Sequence, residues 1–269
     1  MPSEPAHVSI DVADVERIAA LGWRGLEEAR FGGWLLRAAG GFTGRSNSAL
    51  VLGAPPKTEA WLPDLLHWYA DRGLPPMVQI PLPGGEAIDA VLDAAGWRTH
   101  DLVRFLTGDL EEIRTSTTQA STPAGLAVRL DAEPDDAWLA AYHYRGARLP
   151  GHAREVLLRA EEDIELSFAS LRAPAEGGAA AAVLAVARGA VARGWLGVTA
   201  VTVSEEHRRR GHGTRLMAEL VGWAAERGAR AIYLQVAAEN AAALRLYSRL
   251  GFHHHHDYRY RIGPLPNGD

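Results

Sequence analysis

The stretch that decides the fold is 201–252, which reads VTVSEEHRRRGHGTRLMAELVGWAAERGARAIYLQVAAENAAALRLYSRLGF. Its opening run of β-branched residues ends at Val203, and the basic turn RRRGHG follows at 208–213. Beyond the turn, apolar residues recur at helical spacing, at Leu216, Leu220, Trp223 and Ala224. Because Gly228 ends this pattern, we expect a strand, a glycine turn and a long amphipathic helix.

The glycine turn has the features of an anion-binding site. Gly211 and Gly213 lack a Cβ, so the backbone can approach a ligand closely. The N–H groups at the start of the next helix point to the same place, and the helix dipole favours negative charge there. The arginines at 208–210 add positive charge suited to phosphate oxygens. A glycine turn alone is weak evidence, since ordinary strand-helix turns also contain it.

A second strand and a second helix complete the stretch. The apolar segment 232–236 predicts a buried strand. Asn240 is a residue that favours helix starts, and Gly251 ends the helix that follows it.

These residues resemble the GNAT acyltransferases (GCN5-related N-acetyltransferases). Arg208-x-x-Gly211-x-Gly213 is similar to the family signature Q/R-x-x-G-x-G/A. The resemblance continues from Asn240 through Leu246-Tyr247 to Leu250-Gly251-Phe252, as in the family ending N-x-x-A-x-x-L-Y-x-x-x-G-F. Two linked motifs in the right order make this a specific match.

The resemblance implies a site for acetyl-CoA as co-substrate. It implies that the turn holds the pyrophosphate, that strand backbone at Val201 and Val203 binds the pantetheine arm, and that Asn240 meets the same arm. It also implies that Tyr247 is the catalytic general acid near the cofactor sulfur. The cofactor-binding residues expected in full are Val201, Val203, Arg208, Arg209, Arg210, Gly211, His212, Gly213, Thr214 and Asn240.

Two of these roles have structural alternatives, and the general base stays open. Tyr247 could be an aromatic core residue, since leucines flank its helix face. Asn240 could be an N-cap, a role compatible with a cofactor contact. The candidates for the base are Glu161, Glu162, Asp163, Glu205, Glu206, His143 and His152.

Composition limits the function classes. The chain has 269 residues, 47% hydrophobic content and a net charge of −5 with a pI near 6.1, which argues against a general nucleic-acid binder. It contains no cysteine, so a thiol cannot carry an acyl group and direct transfer without an acyl-enzyme is expected. No long apolar run or signal peptide is recognised, so we expect a cytoplasmic protein without a membrane partner.

The domain organisation is predicted from a change of composition and an internal repeat. The Thr- and Ser-rich segment 111–125 is interpreted as a linker between a domain at 1–110 and a catalytic domain at 126–269. Gly228 follows Gly73 by 155 positions, and Gly251 follows Gly96 by the same number, since 228 − 73 = 155 and 251 − 96 = 155. We therefore expect an α/β (α+β) protein of two tandem GNAT-like domains, each a mixed, largely antiparallel sheet flanked by helices.

The first copy lacks the chemistry of the second. At the same offset, Leu92 replaces Tyr247 and Gly85 replaces Asn240. The first half is therefore predicted to be non-catalytic and to shape the acceptor site. Its polar turn, which includes Arg45 and Asn47, could contact substrate or could be an ordinary hairpin end.

Two local predictions concern strands. The segments 180–187 and 194–203 are expected as two β stretches joined at Arg188-Gly189. The four histidines at 253–256 are expected to precede a strand at 258–262. Since only alternate strand residues share a face, the histidines do not suggest a metal site, and none is expected.

The leading hypothesis is therefore an N-acetyltransferase that moves an acetyl group from acetyl-CoA to a primary amine on a small molecule or peptide. The alternative is a non-catalytic module that senses acyl-CoA. The sequence does not determine the acceptor or the oligomeric state.

Overall fold

The computed structural model describes residues 9–58, 60–118, 126–143, 146, 148–174 and 181–264. The first half of the described chain contains α1 (Val12–Gly22), β1 (Glu27–Phe31), β2 (Trp34–Ala38), β3 (Ala49–Val51), α2 (Trp61–Ala70), β4 (Met77–Leu82), α3 (Glu86–Ala94), β5 (Arg98–Asp109) and α4 (Leu110–Thr118). The second half contains β6 (Ala127–Asp131), α5 (Asp136–Ala141), α6 (Ala153–Leu158), β7 (Glu165–Arg172), β8 (Val183–Ala192), β9 (Trp195–Val203), α7 (His212–Ala225), β10 (Ala231–Ala237), α8 (Ala241–Arg249) and β11 (His253–Ile262).

All of these strands form one sheet, in the order β1-β2-β3-β4-β11-β5-β10-β9-β8-β7-β6. Most neighbours are antiparallel, and the parallel pairs are β3 with β4 and β9 with β10. The mixed α/β fold class expected from the sequence is confirmed. Strands of both halves take part in it, so the sheet is continuous across them.

The order of elements repeats between the halves. The series α2, β4, α3, β5 corresponds to α7, β10, α8, β11. The helices α3 and α8 begin at Glu86 and Ala241, and β5 and β11 begin at Arg98 and His253. Both separations equal the offset in the sequence, since 241 − 86 = 155 and 253 − 98 = 155.

The two halves exchange their last strands. β5 of the first half pairs with β10 on one side and with β11 on the other. β11 of the second half lies between β4 and β5. Each half therefore completes its sheet with a strand from the other, and their backbone hydrogen bonds are interlocked.

The segment expected to be a linker begins with a helix. Asp109 Oδ1 accepts hydrogen bonds from the N–H groups of Glu111 and Glu112, at 2.9 and 3.0 Å, and so caps α4. Leu110 and Ile113 are buried in the core beneath α7. The prediction missed this helix because its apolar face is one turn long and the Thr-rich remainder shows no period. Residues 119–125 lie outside the described chain.

The predicted break at Arg188-Gly189 is wrong. β8 runs without interruption through Arg188, and the hairpin turn is Arg193-Gly194, where both φ values are positive at 49° and 78°. Arg188 is 1% exposed and donates to the carbonyl oxygens of Leu157 and Gly22, at 2.8 and 2.7 Å. A charged residue satisfied in this way can lie inside a strand. The expected start of the first segment, residue 180, is outside the described chain.

The helices cover both faces of the sheet. α4, α7 and α8 pack over the largest apolar cluster of the second half, which includes Leu216, Leu220 and Ile232. α1 covers the opposite face, where Val15 and Ile18 pack against Phe105. Among the described residues, the helices are too short or too polar to cross a bilayer.

Candidate active site

The central feature of the candidate site is a split between two parallel strands. The ladder between β9 and β10 extends from Trp195 opposite Ala231 to Val198 opposite Leu234. Beyond this pair β9 continues to Val203 and β10 continues to Ala237, while β10 remains paired with β5. The strands therefore open into a cleft whose β9 wall carries backbone polar groups available to a ligand.

A β-bulge bends β9 at the split. The register with β8 shifts between Val186 opposite Thr202 and Arg188 opposite Thr199, so β9 carries an extra residue there. Ala200 has a φ of 54°, an unfavourable conformation for a residue with a Cβ. The predicted residue Val201 lies in the bulge and Val203 follows it, and their half-buried side chains pack on the cluster beneath α7. Their backbone therefore lines the split.

The glycine turn leads directly from β9 into α7. Gly211 has a φ of 79° and is the N-cap residue. Among the described residues, no side chain caps this helix end, so its first N–H groups remain available. Arg208, Arg209 and Arg210 are all exposed around it. A negatively charged group would find uncapped amides, a helix dipole and arginine side chains together here.

Only some of the predicted turn residues can offer a side chain. His212 is 4% exposed, and burial is the main cause that lowers its pKa, with smaller effects from His207 and Arg210. Its accessible ligand group is therefore the backbone N–H. Gly213 faces α8, since a Cβ built there would lie 3.6 Å from Leu246 Cδ2. Thr214 is half-buried in the first turn of the helix.

Asn240 begins α8 as an N-cap. Its Oδ1 accepts a hydrogen bond of 3.1 Å from the N–H of Ala243. The residue is exposed at the end of β10, so its side-chain amide can still reach a ligand. Capping was the structural alternative raised by the sequence, and it is observed.

Tyr247 lies in the apolar core between α7 and α8. It is 7% exposed and its ring packs edge-on against Phe252, with ring centroids 5.5 Å apart. Burial raises its pKa to about 12. The hydroxyl therefore keeps its proton at neutral pH, as a hydrogen-bond donor to a developing anion must.

The face of the sheet opposite α7 carries polar residues that sequence reasoning did not assign. Gln235 is the first residue of β10 beyond the split, and its Oε1 accepts hydrogen bonds from Arg45 Nη1 at 3.0 Å and from the Tyr258 hydroxyl at 2.9 Å. A glutamine inside an apolar strand was the available signal. Nothing local to Gln235 could indicate its partners, because Arg45 is 190 positions away.

The first half also contains a parallel strand pair, and a buried arginine lies at the amino end of its ladder. Arg37 on β2 is 2% exposed and spans from β3 to β4. It donates to the carbonyl oxygen of Ser48 at 3.1 Å and to Oε1 of Gln79 at 2.8 Å. The guanidinium thus links Ser48, just before β3, to Gln79 on β4, whereas β9 and β10 open beyond the other end of their ladder.

The four histidines lie within β11, which starts five positions earlier than expected, since 258 − 253 = 5. His254 contacts Asp257, while His255 and His256 face α1 and hydrogen-bond to each other. In the part of the chain that the structure describes, no group of three or more potential metal-binding side chains is found.

The family model described as "Probable histone acetyltransferase Rv0428c C-terminal" matches residues 9–261. The chain is 32% identical over 247 residues to a Mycobacterium tuberculosis protein named "Probable histone acetyltransferase Rv0428c", covering 91% of this chain and 72% of that protein. It is 28% identical over 252 residues to "Uncharacterized N-acetyltransferase YobR" of Bacillus subtilis, covering 94% and 98%.

Solved structures show the same architecture. The structure titled "GCN5-related N-acetyltransferase from Kribbella flavida" has a TM-score of 0.67 and 18% identity, covering 97% of this chain and 98% of that one. At that identity the likeness concerns the fold. The family model and the sequence relatives span nearly all of the described residues, and the chain therefore belongs to the Rv0428c C-terminal family within the GNAT superfamily of acyltransferases.

Proposed function

We propose that this chain transfers an acetyl group from acetyl-CoA directly to a primary amine, at the split between β9 and β10. The observation that carries the proposal is the opening of β9 from β10 next to the uncapped start of α7. Tyr247, the proton donor that the family resemblance implies, is carried by α8, the helix that follows β10.

The cofactor would extend from the glycine turn into the split. Its pyrophosphate would accept hydrogen bonds from the first amides of α7 and from the arginines at 208–210. Its pantetheine arm would run along the backbone at Val201 and Val203, with Asn240 on the other side. Acetyl-CoA supplies the activated thioester, and the protein supplies its position and orientation.

The reaction would take place directly on the bound thioester, without an acyl-enzyme intermediate. The free amine attacks the carbonyl carbon, a backbone N–H of β9 stabilises the developing oxyanion, and the C–S bond breaks. Tyr247 donates its hydroxyl hydrogen to the departing sulfur, so that CoA leaves as the thiol. The attacking nitrogen loses a proton to a base or to water, and this proton restores the Tyr247 hydroxyl. The products are an amide and CoA.

We further propose that the boundaries 1–110 and 126–269 separate a non-catalytic half from a catalytic half. The positions that correspond to Tyr247 and Asn240 support this division, because Leu92 on α3 and Gly85 before it have no polar side-chain group. The first half then contributes a wall to the acceptor side of the second.

The direct test has two parts. Calorimetric titration should show one acetyl-CoA bound per chain, and a thiol-release assay with a panel of amines should show CoA formation that depends on the amine. Binding without turnover would favour the acyl-CoA sensor. Absence of binding would remove the proposal altogether.

A further inference from the structure

The turn 39–47 of the first half is held together by the hydrogen bonds of a buried side chain. Every hydrogen-bonding group of the Asn47 side chain is used within it. Oδ1 accepts from the N–H groups of Ala39 and Gly41 at 2.7 and 2.9 Å, and Nδ2 donates to the carbonyl oxygens of Phe42 and Thr43, both at 2.8 Å. Asn47 is 5% exposed, so these bonds are protected from water.

The same turn contains unfavourable backbone conformations. Thr43 has a φ of 63°, which is uncommon for a residue with a branched side chain. Its hydroxyl and that of Ser46 accept hydrogen bonds from Trp23 Nε1, at 3.0 and 2.7 Å. Backbone strain that the surroundings hold in place is a feature of binding sites, and an ordinary hairpin end does not require it.

This turn presents Arg45 to the split. Arg45 is half-buried, and its guanidinium hydrogen-bonds to Gln235 at the point where β10 parts from β9. It also lies 5.0 Å from the centre of the Trp23 ring. The contact places a positive charge from the first half on the side of the split opposite the phosphate-binding turn.

A second guanidinium lies close to the same tryptophan ring as that of Arg45. Arg188 lies 5.2 Å from the Trp23 ring, and although burial lowers its pKa to about 10, it remains protonated at neutral pH. Arg45 and Arg188 both lower the pKa of Tyr233, whose main shift is upward through burial, whereas Glu16 raises it. The Glu16 carboxylate is already engaged by His256 and Gln79.

We propose that Arg45 selects an acceptor amine that also carries an anionic group, a carboxylate or a phosphate. This inference rests on the proposed acetyl transfer at the split. A guanidinium binds either group with forked, charge-assisted hydrogen bonds. The same positive charge destabilises the ammonium form of the acceptor and so favours the nucleophilic free amine. A lysine-rich peptide is repelled by this surface.

Matched acceptor pairs test the proposal. The probes are phenylalanine against phenethylamine and arginine against agmatine for the carboxylate, and O-phosphoethanolamine against ethanolamine for the phosphate. A lysine-rich peptide is the polycationic comparison. Thiol release is measured at two pH values, so that differences in amine pKa are separated from recognition. For at least one kind of anion, the anionic member should have a kcat/KM about tenfold or more above that of its partner.

Variants of Arg45 test whether this residue causes the preference for anionic acceptors. Arg45→Gln should reduce kcat/KM for the anionic member by about tenfold to a hundredfold and bring the ratio within the pair close to one. Arg45→Lys should restore part of the ratio, because it keeps the charge and loses the forked geometry. Arg30→Gln, an exposed arginine on β1, is the matched control and should leave the ratio unchanged.

Other outcomes would overturn the proposal. The proposal is wrong if the rates are equal within every pair, if the lysine-rich peptide is preferred, or if the ratio is unchanged in Arg45→Gln. In each of these cases acetyl-CoA binding and turnover remain intact. The wild-type protein could bind acetyl-CoA and yet acetylate none of these amines. In that case the binding of each amine to the CoA-saturated protein is measured by calorimetry, and this result decides the proposal. Binding that requires both the anion and Arg45 supports the inference, and equal or undetectable binding rejects it. Loss of acetyl-CoA binding itself would instead refute the proposed function.

Discussion

Glu16 Oε1 lies 3.0 Å from His256 Nε2, although 240 positions separate the two residues. Both side chains are almost completely buried, at 1% and 0% exposure. The contact joins α1 to the exchanged strand β11, and Glu16 also accepts hydrogen bonds from Gln79 on β4. A buried polar connection thus holds the two halves in register.

Breaking this pair should destabilise the whole protein. Removing the Glu16 carboxylate leaves His256 and Gln79 without a buried hydrogen-bond partner, which costs roughly 1–3 kcal/mol for each group. We therefore expect Glu16→Ala to lower the free energy of unfolding by about that amount in urea denaturation. Glu206→Ala, at an exposed position, should have little effect. A similar stability for both variants would show that the pair does not hold the halves together.

Stability should fall as the pH drops below about 6.5. Burial is the main cause that lowers the pKa of His255, whose Nε2 donates to the Ile10 carbonyl and whose Nδ1 bonds to His256 Nδ1 at 2.8 Å. With a folded pKa below the unfolded value, the unfolded chain binds the proton first, so stability is present above about 6.5 and is lost towards lower pH. His255→Gln should flatten this dependence, as measured by Tm across pH 5–8. An unchanged slope would assign the effect to other groups.

Tyr247→Phe should reduce kcat by about 10²-fold or more and leave acetyl-CoA affinity nearly unchanged, because hydrogen donation to the sulfur matters in the transition state. The matched control is Tyr69→Phe. Tyr69 is also fully buried, but its hydroxyl donates to the carbonyl oxygen of Arg37 in the first half. Steady-state kinetics measures kcat and calorimetry measures acetyl-CoA affinity for both variants. If kcat is unaffected by Tyr247→Phe, the tyrosine is a core residue.

Gly213→Val should weaken acetyl-CoA binding more than tenfold, or by about 1.4 kcal/mol. The protein itself tolerates a Cβ at this position, whose closest contact would be Leu246 at 3.6 Å, so the loss would come from the blocked approach of phosphate. Gly222→Val is the control, because it makes the same change in the same helix at a site with open space around it. Equal affinities for the two variants would move the phosphate site elsewhere.

The fragment 124–269 should not fold alone. Without β5, both β10 and β11 lose a paired neighbour, and the core beneath α7 loses Leu106, Leu110 and Ile113. Exposed strand edges of this kind promote aggregation. Coexpression with the fragment 1–123 should restore a soluble complex. A soluble, cooperatively unfolding 124–269 would show that the exchange of strands is dispensable.

The local features of the candidate site were predictable from the sequence. The α7 helix, β10 and α8 lie where apolar periodicity and glycine ends placed them, and Gly211 adopts the left-handed conformation that suits a glycine. Such features depend on neighbours within a few positions, so the chain encodes them locally. The repeat offset also predicted which elements correspond between the halves.

The tertiary structure alone decided how the halves combine. Three features join positions that are far apart in the chain. They are the exchange of β5 and β11, the Arg45–Gln235 contact and the Glu16–His256 pair. The order of strands depends on which arrangement buries the apolar faces and also pairs the backbone hydrogen-bonding groups of every strand. The spacing of residues within one segment does not contain this information. The glycine turn before α7 was therefore determined by the sequence itself. The closeness of Arg45 and Arg188 was decided by the tertiary structure, because only folding brings both residues to the same tryptophan.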